Sequence, residues 1–109
     1  MKRIILLASV FGFAAAMVAS AAEPKDIYTT SCARCHGADG KGQTKMGALL
    51  GAKDYTDPAV QAALTDADAA KAIKEGFKTK DGKTAMKPAT TLSDSDITGL
   101  VAYMRTFKK

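Results

Sequence analysis

The only two cysteines and the only histidine of this 109-residue chain fall in one run, Cys32-Ala33-Arg34-Cys35-His36. Two thiols about one helical turn apart, followed at once by an imidazole, have the spacing for covalent haem attachment. Each thiol can form a thioether with one vinyl group, and the next side chain is then held beneath the iron. On this reading His36 is the proximal ligand. Zinc would want four ligands, and no further Cys or His exists to complete these three. A thioredoxin-like dithiol belongs beside the strand and helix of a βαβ unit, and no strand-like alternation of convincing length follows residue 22. A lone disulfide would close so small a ring that it adds little stability.

That last point matters because the folded part is small. Lys2 and Arg3 precede an apolar stretch from Ile4 to Val18, then Ala19, Ser20, Ala21 and Ala22, before the first acid at Glu23. This is the pattern of a secretory signal at residues 1–22, cleaved after Ala21 or Ala22. The rival is an uncleaved anchor, since the 19 residues from Ile4 to Ala22 just suffice to span a bilayer. The fading into alanine and the small residues at the end favour cleavage. About 87 residues remain, 23–109, a size at which an unaided core is marginal and a bound cofactor is the natural supplement.

Of the 16 lysines and arginines, Lys2 and Arg3 leave with the signal, so the formal charge of +5 falls to +3 against the same 11 acids. So small and interspersed a charge, without a stripe of stacking aromatics, gives no case for nucleic acid. It leaves room for steering toward an acidic protein partner.

The folded part reads as all-α, with three to four short helices. Pro24 opens a first helix through Tyr28 toward the cysteines. Asp57 and Pro58 open a second ending near Leu64, and Thr65 caps a third with Asp66 and Asp68 in its first turn and Gly76 to stop it. The last has Ser93 as cap, Asp94 and Asp96 following, a stripe at Ile97, Leu100, Val101 and Met104, and Lys108 and Lys109 at its negative end. Two long polar loops remain, Gly37 to Lys53 and Lys78 to Thr91, and long loops in a small protein usually wrap something.

A second axial ligand decides between electron transfer and reaction at the iron. With no second histidine, the neutral soft donors are Met46, Met86 and Met104. Met104 sits on the apolar stripe and reads as core. Met46 and Met86 each lie in a loop, and spacing alone does not choose between them.

From about Pro24 to Phe107 the chain resembles a class I cytochrome c of the small bacterial kind. The likeness rests on Cys32-Ala33-Arg34-Cys35-His36-Gly37, Gly40-Lys41-Gly42, Met86-Lys87-Pro88, Leu92-Ser93-Asp94 and Leu100-Val101-Ala102-Tyr103-Met104-Arg105. The resemblance implies a single haem c attached through Cys32 and Cys35, with iron between His36 and Met86. It implies that the first and last helices cross, setting Ile27 or Tyr28 against Leu100 and Tyr103. With both positions on iron filled by side chains, the expected function is that of a one-electron carrier between redox proteins of a respiratory chain, not an enzyme; the signal at 1–22 makes the expected location periplasmic, and the chain is expected to be monomeric. Contact with a membrane would come only through partner complexes or an uncleaved signal.

Lys41, Lys45, Lys83 and Lys87, in the two loops, are candidates to steer an acidic partner. The alternative is a reactive haem, with a labile or absent methionine bond allowing peroxidase-like chemistry or gas binding. In one respect the chain departs from its relatives. Many carry a first-loop proline whose carbonyl accepts the histidine N–H, and Gln43-Thr44-Lys45-Met46-Gly47 has none. Another carbonyl between Gly42 and Gly47 is expected to take that part.

Overall fold

A computed structural model describes residues 23–109; residues 1–22, where a secretory signal is expected, lie outside the described residues. The helices form where the capping chemistry places them. α1 (Pro24–Ser31) begins on its proline, and α2 (Ala33–His36) follows after a break at Cys32 and is stopped by Gly37 at φ 81°. α4 (Pro58–Ala63) is capped by Asp57, whose carboxylate accepts from Ala59 N. α5 (Asp66–Glu75) is capped by the Thr65 hydroxyl, and Gly76 ends it at φ 80°. α6 (Asp94–Arg105) carries a full capping box, in which Ser93 Oγ accepts from Asp96 N and Asp96 accepts in return from Ser93 N. Each such cap is worth about 1 kcal/mol.

Both presumed loops hold structure of their own, so the described residues contain six helices instead of three to four. In the first, Thr44 caps α3 (Lys45–Leu50) by accepting from Gly47 N at 2.8 Å, and Gly51 closes it in the left-handed region at φ 76°. In the second, β1 (Phe77–Lys78) and β2 (Thr84–Met86) pair as an antiparallel hairpin, with Phe77 opposite Met86. The expectation of no strand is corrected to this extent. The hairpin turns at Asp81-Gly82, where Gly82 takes φ 78° and donates to the Thr79 carbonyl.

Packing centres on α6. Its stripe is buried throughout: Ile97, Leu100, Val101 and Met104. On one side α1 crosses it, and Leu100 packs with Ile27 and Tyr28, as expected. Gly99 permits that crossing, since a Cβ there would meet Pro24 Cγ at 2.9 Å. On the other side Val101 and Met104 pack with Ala69 of α5, so Met104 is core as expected. The rings of Tyr28, Tyr103 and Phe107 close the first cluster, each pair of centroids 5.2 Å apart.

A polar hub fastens α4 and α5 to the end of α6. Gln61, only 4% exposed, donates from Nε2 to the carbonyls of Tyr55 (2.7 Å) and Met104 (3.1 Å). Arg105 donates to the Gln61 carbonyl (2.7 Å), to Gln61 Oε1 (2.8 Å), to the Leu64 carbonyl and to Asp66 (2.9 Å). Among the described residues, no helix is long and apolar enough to cross a membrane.

Candidate functional site

The cysteine and histidine run occupies the end of α1, the break and α2. Cys32 packs against the Ile27, Tyr28 and Leu100 cluster, which fixes the first thiol to the crossing of α1 and α6. Both thiols are half-buried and not bonded to each other. Burial pushes the Cys32 thiol up from its ordinary value, with the neighbouring Cys35 adding to the effect.

His36 follows on the same helical turn. Burial lowers its pKa, which favours the neutral imidazole, the form with a lone pair to give to a metal. Its Nδ1 is buried with no hydrogen-bond partner among the described residues.

The segment expected to supply that partner holds the backbone of the motif instead. Gly42 N donates to the His36 carbonyl at 2.7 Å, and Thr44 Oγ1 donates to the Cys35 carbonyl at 2.8 Å. The Tyr28 hydroxyl adds a third tie, donating to the Gly37 carbonyl at 2.5 Å. Gly47 of α3 comes so close that a Cβ would strike the Cys35 and Gly42 carbonyls, which explains why a glycine interrupts this short helix. The expected acceptor for the ring is therefore not realised.

The three methionines separate by environment. Met104 is buried in the core. Met46 is half-buried on α3, which packs directly on α2. Met86 is half-buried on β2, directly across from Phe77, so their side chains share a face of the hairpin. The segment after it is tied to α5, Ala89 N donating to the Ile73 carbonyl at 2.9 Å.

Of the proposed steering lysines, Lys45, Lys83 and Lys87 are exposed and Lys41 is half-buried. Sequence reasoning missed Tyr55, whose ring lies 5.4 Å from the His36 ring, centroid to centroid. Nothing in its surroundings in the sequence signals that contact.

A porphyrin suits what is left. Among the described residues no core side chain is fully buried, and the large apolar residues Leu49 and Phe77 are 71% and 58% exposed. Leu49 belongs to α3, which packs on the helix of His36, and Phe77 to β1, which pairs with the strand of Met86. Among the described residues, no group of His, Cys, Asp and Glu is arranged to hold a bare metal ion. A cavity of about 300 Å³ near the start of α6, lined by Lys74 and Asp94, is elsewhere in the fold and has no part in this site.

The family model "Cytochrome c" matches residues 21–108. Cytochrome c-554(547) of Halothiobacillus neapolitanus is 33% identical over 88 residues, covering 81% of this chain and 97% of that protein. The solved KustC0563 c-type cytochrome superposes with a TM-score of 0.69 at 33% identity, over 80% of this chain and 99% of that one. A tyrosine-to-phenylalanine mutant of Kustc0563 superposes with a TM-score of 0.66 at 31% identity, over 79% and 99%. The fold, the Cys32, Cys35 and His36 run and these matches agree: the chain belongs to the cytochrome c family, whose cofactor is a covalently attached haem c with iron.

Proposed function

We propose that this protein is an exported, periplasmic one-electron carrier whose haem iron is ligated by His36 Nε2 and Met86 Sδ, working between redox proteins. When bound, the haem would take up one electron from a donor and release it to an acceptor. The rest is the work of the chain. Cys32 and Cys35 anchor the ring to the α1 and α6 crossing. His36 offers a neutral imidazole with Nδ1 turned into the protein, which leaves Nε2 as the donor. Met86 offers a neutral thioether, which favours the ferrous state and raises the potential, as does exclusion of water.

One observation carries the choice of Met86. A second ligand would have to come from chain that is not already committed to packing on the motif or in the core. Met46 is on α3, which is bound to α2 through Thr44 and Gly47. Met104 is committed to the core. Met86 alone of the three stands on an element that is packed neither on α2 nor into the buried clusters, the hairpin following α5.

With His36 and Met86 both holding the iron, a small molecule would have to displace one of them, which supports carriage over catalysis. The secretory segment at 1–22, cleaved near Ala21 or Ala22, supports the periplasmic assignment. Lys41, Lys45, Lys83 and Lys87 supply positive charge for brief docking with an acidic partner.

Absorption spectra of the purified holoprotein, oxidised and reduced, test this reading. The wild type is expected to be low-spin, to show the methionine-to-iron charge-transfer signature when ferric, and to be unchanged by carbon monoxide when ferrous. Met86→Ala should lose the signature, and Met46→Ala should keep it. A signature that survives Met86→Ala, or ready binding of carbon monoxide by the wild type, overturns the ligand assignment.

A further inference from the structure

The planes of the Tyr55 and His36 rings are tilted by 33° at their 5.4 Å separation, so the phenol lies along one side of the imidazole. A histidine that binds a metal is ordinarily held in rotation by a hydrogen bond from its second nitrogen. Here that nitrogen is buried and unpartnered among the described residues, and the neighbouring segment holds the motif through the His36 and Cys35 carbonyls, not through the ring. The aromatic wall is the restraint that the structure provides in its place.

That wall is itself fixed at both ends of the residue. Tyr55 N donates to the Gly40 carbonyl at 2.8 Å, and the Tyr55 carbonyl accepts from buried Gln61 at 2.7 Å. Gln61 is in turn held by Met104 and Arg105 of α6. The Tyr55 side chain also packs on the Ala69, Val101 and Met104 cluster. Its position is thus set by the core, not by the loop that carries it.

We propose that Tyr55 is a positioning residue that sets the rotation of the His36 imidazole about its bond to iron. The proposal rests on His36 being the axial ligand. The plane of an axial imidazole governs how its orbitals overlap with those of the metal. Its rotation is therefore read in the paramagnetic spectra of the ferric state, independently of electron-transfer activity.

The test uses ferric holoprotein as wild type, Tyr55→Phe and Tyr55→Leu, with the hyperfine-shifted haem methyl resonances and the spread of electron paramagnetic g values as readouts. Tyr55→Phe keeps the flat ring and is expected to preserve the wild-type pattern. Tyr55→Leu is expected to remain low-spin but to change the order or spread of the methyl shifts. If Tyr55→Leu does not fold, Tyr55→Met, which fills the volume without a flat face, is judged by the same criterion. A leucine or methionine variant with the wild-type pattern and only a lower melting temperature overturns the proposal and leaves Tyr55 as packing. A wild type without a low-spin, histidine-ligated spectrum instead overturns the ligation on which it depends.

Discussion

Removing a single oxygen atom, in Tyr28→Phe, isolates the tie between the core and the haem-attachment run. Tyr28 is 5% exposed, and its hydroxyl donates to the Gly37 carbonyl at 2.5 Å, one residue beyond His36. The ring contacts with Tyr103 and Phe107 survive the change, so no cavity term enters. A buried acceptor stripped of its donor costs about 1–3 kcal/mol. Gly37 O keeps a second donor, Gly40 N at 3.1 Å, so the loss belongs near the lower end, about 1 kcal/mol.

For a domain of this size that corresponds to about 4–8 °C in melting temperature. Denaturant unfolding of ferric holoprotein at neutral pH, with unchanged slope, measures it. The same group carries a pH signature. Burial raises the Tyr28 pKa above the ordinary tyrosine value of 10.0. Its contribution is fully present below about pH 10 and is lost as pH rises toward the folded-state value, so the deficit of the variant should shrink in that alkaline range. A variant as stable as wild type at neutral pH, or a deficit that grows with alkalinity, refutes the reasoning.

Gly47→Ala places a methyl against the Cys35 and Gly42 carbonyls and should cost about 1–3 kcal/mol and lower the yield of haem-loaded protein, as unfolding curves and haem-to-protein ratios would show. Gly51→Ala meets open space and pays only for its φ of 76°, about 1 kcal/mol, so it should be the milder of the two. Arg105→Lys keeps the charge but cannot serve the Gln61 and Leu64 carbonyls together, for an expected loss of about 1–2 kcal/mol. Asp66→Asn disturbs only the exposed end of that hub and should cost under about 1 kcal/mol by the same assay. Reduction by an acidic partner should slow as salt is added, and Lys83→Gln with Lys87→Gln should flatten that dependence; a rate indifferent to ionic strength refutes steering.

What could be read from the sequence was local chemistry. Asp57, Thr65 and Ser93 announce α4, α5 and α6 because a cap acts within three residues of itself, and the stripe from Ile97 to Met104 announces its buried face. The crossing of α1 and α6 came from resemblance, not from pattern. α3 went unseen because it is six residues long, contains a glycine and begins with a lysine, although Thr44 and Gly51 bracket it. The hairpin is too short for an alternating pattern, and only Asp81-Gly82 hints at it. Contacts across long stretches of chain, such as Arg105 on Gln61 at a separation of 44 residues or Tyr55 on His36, have no local signature. The missing acceptor for His36 shows the converse: a family rule predicted a bond that this loop, lacking the proline, spends on backbone instead.

Both apolar clusters require α6, which comes after every other element in chain order. A polypeptide emerging N-terminus first, from a ribosome or across a translocation channel, can close neither cluster until those final turns are released. Until then Cys32, which packs on the first of these clusters, has no finished core to rest against.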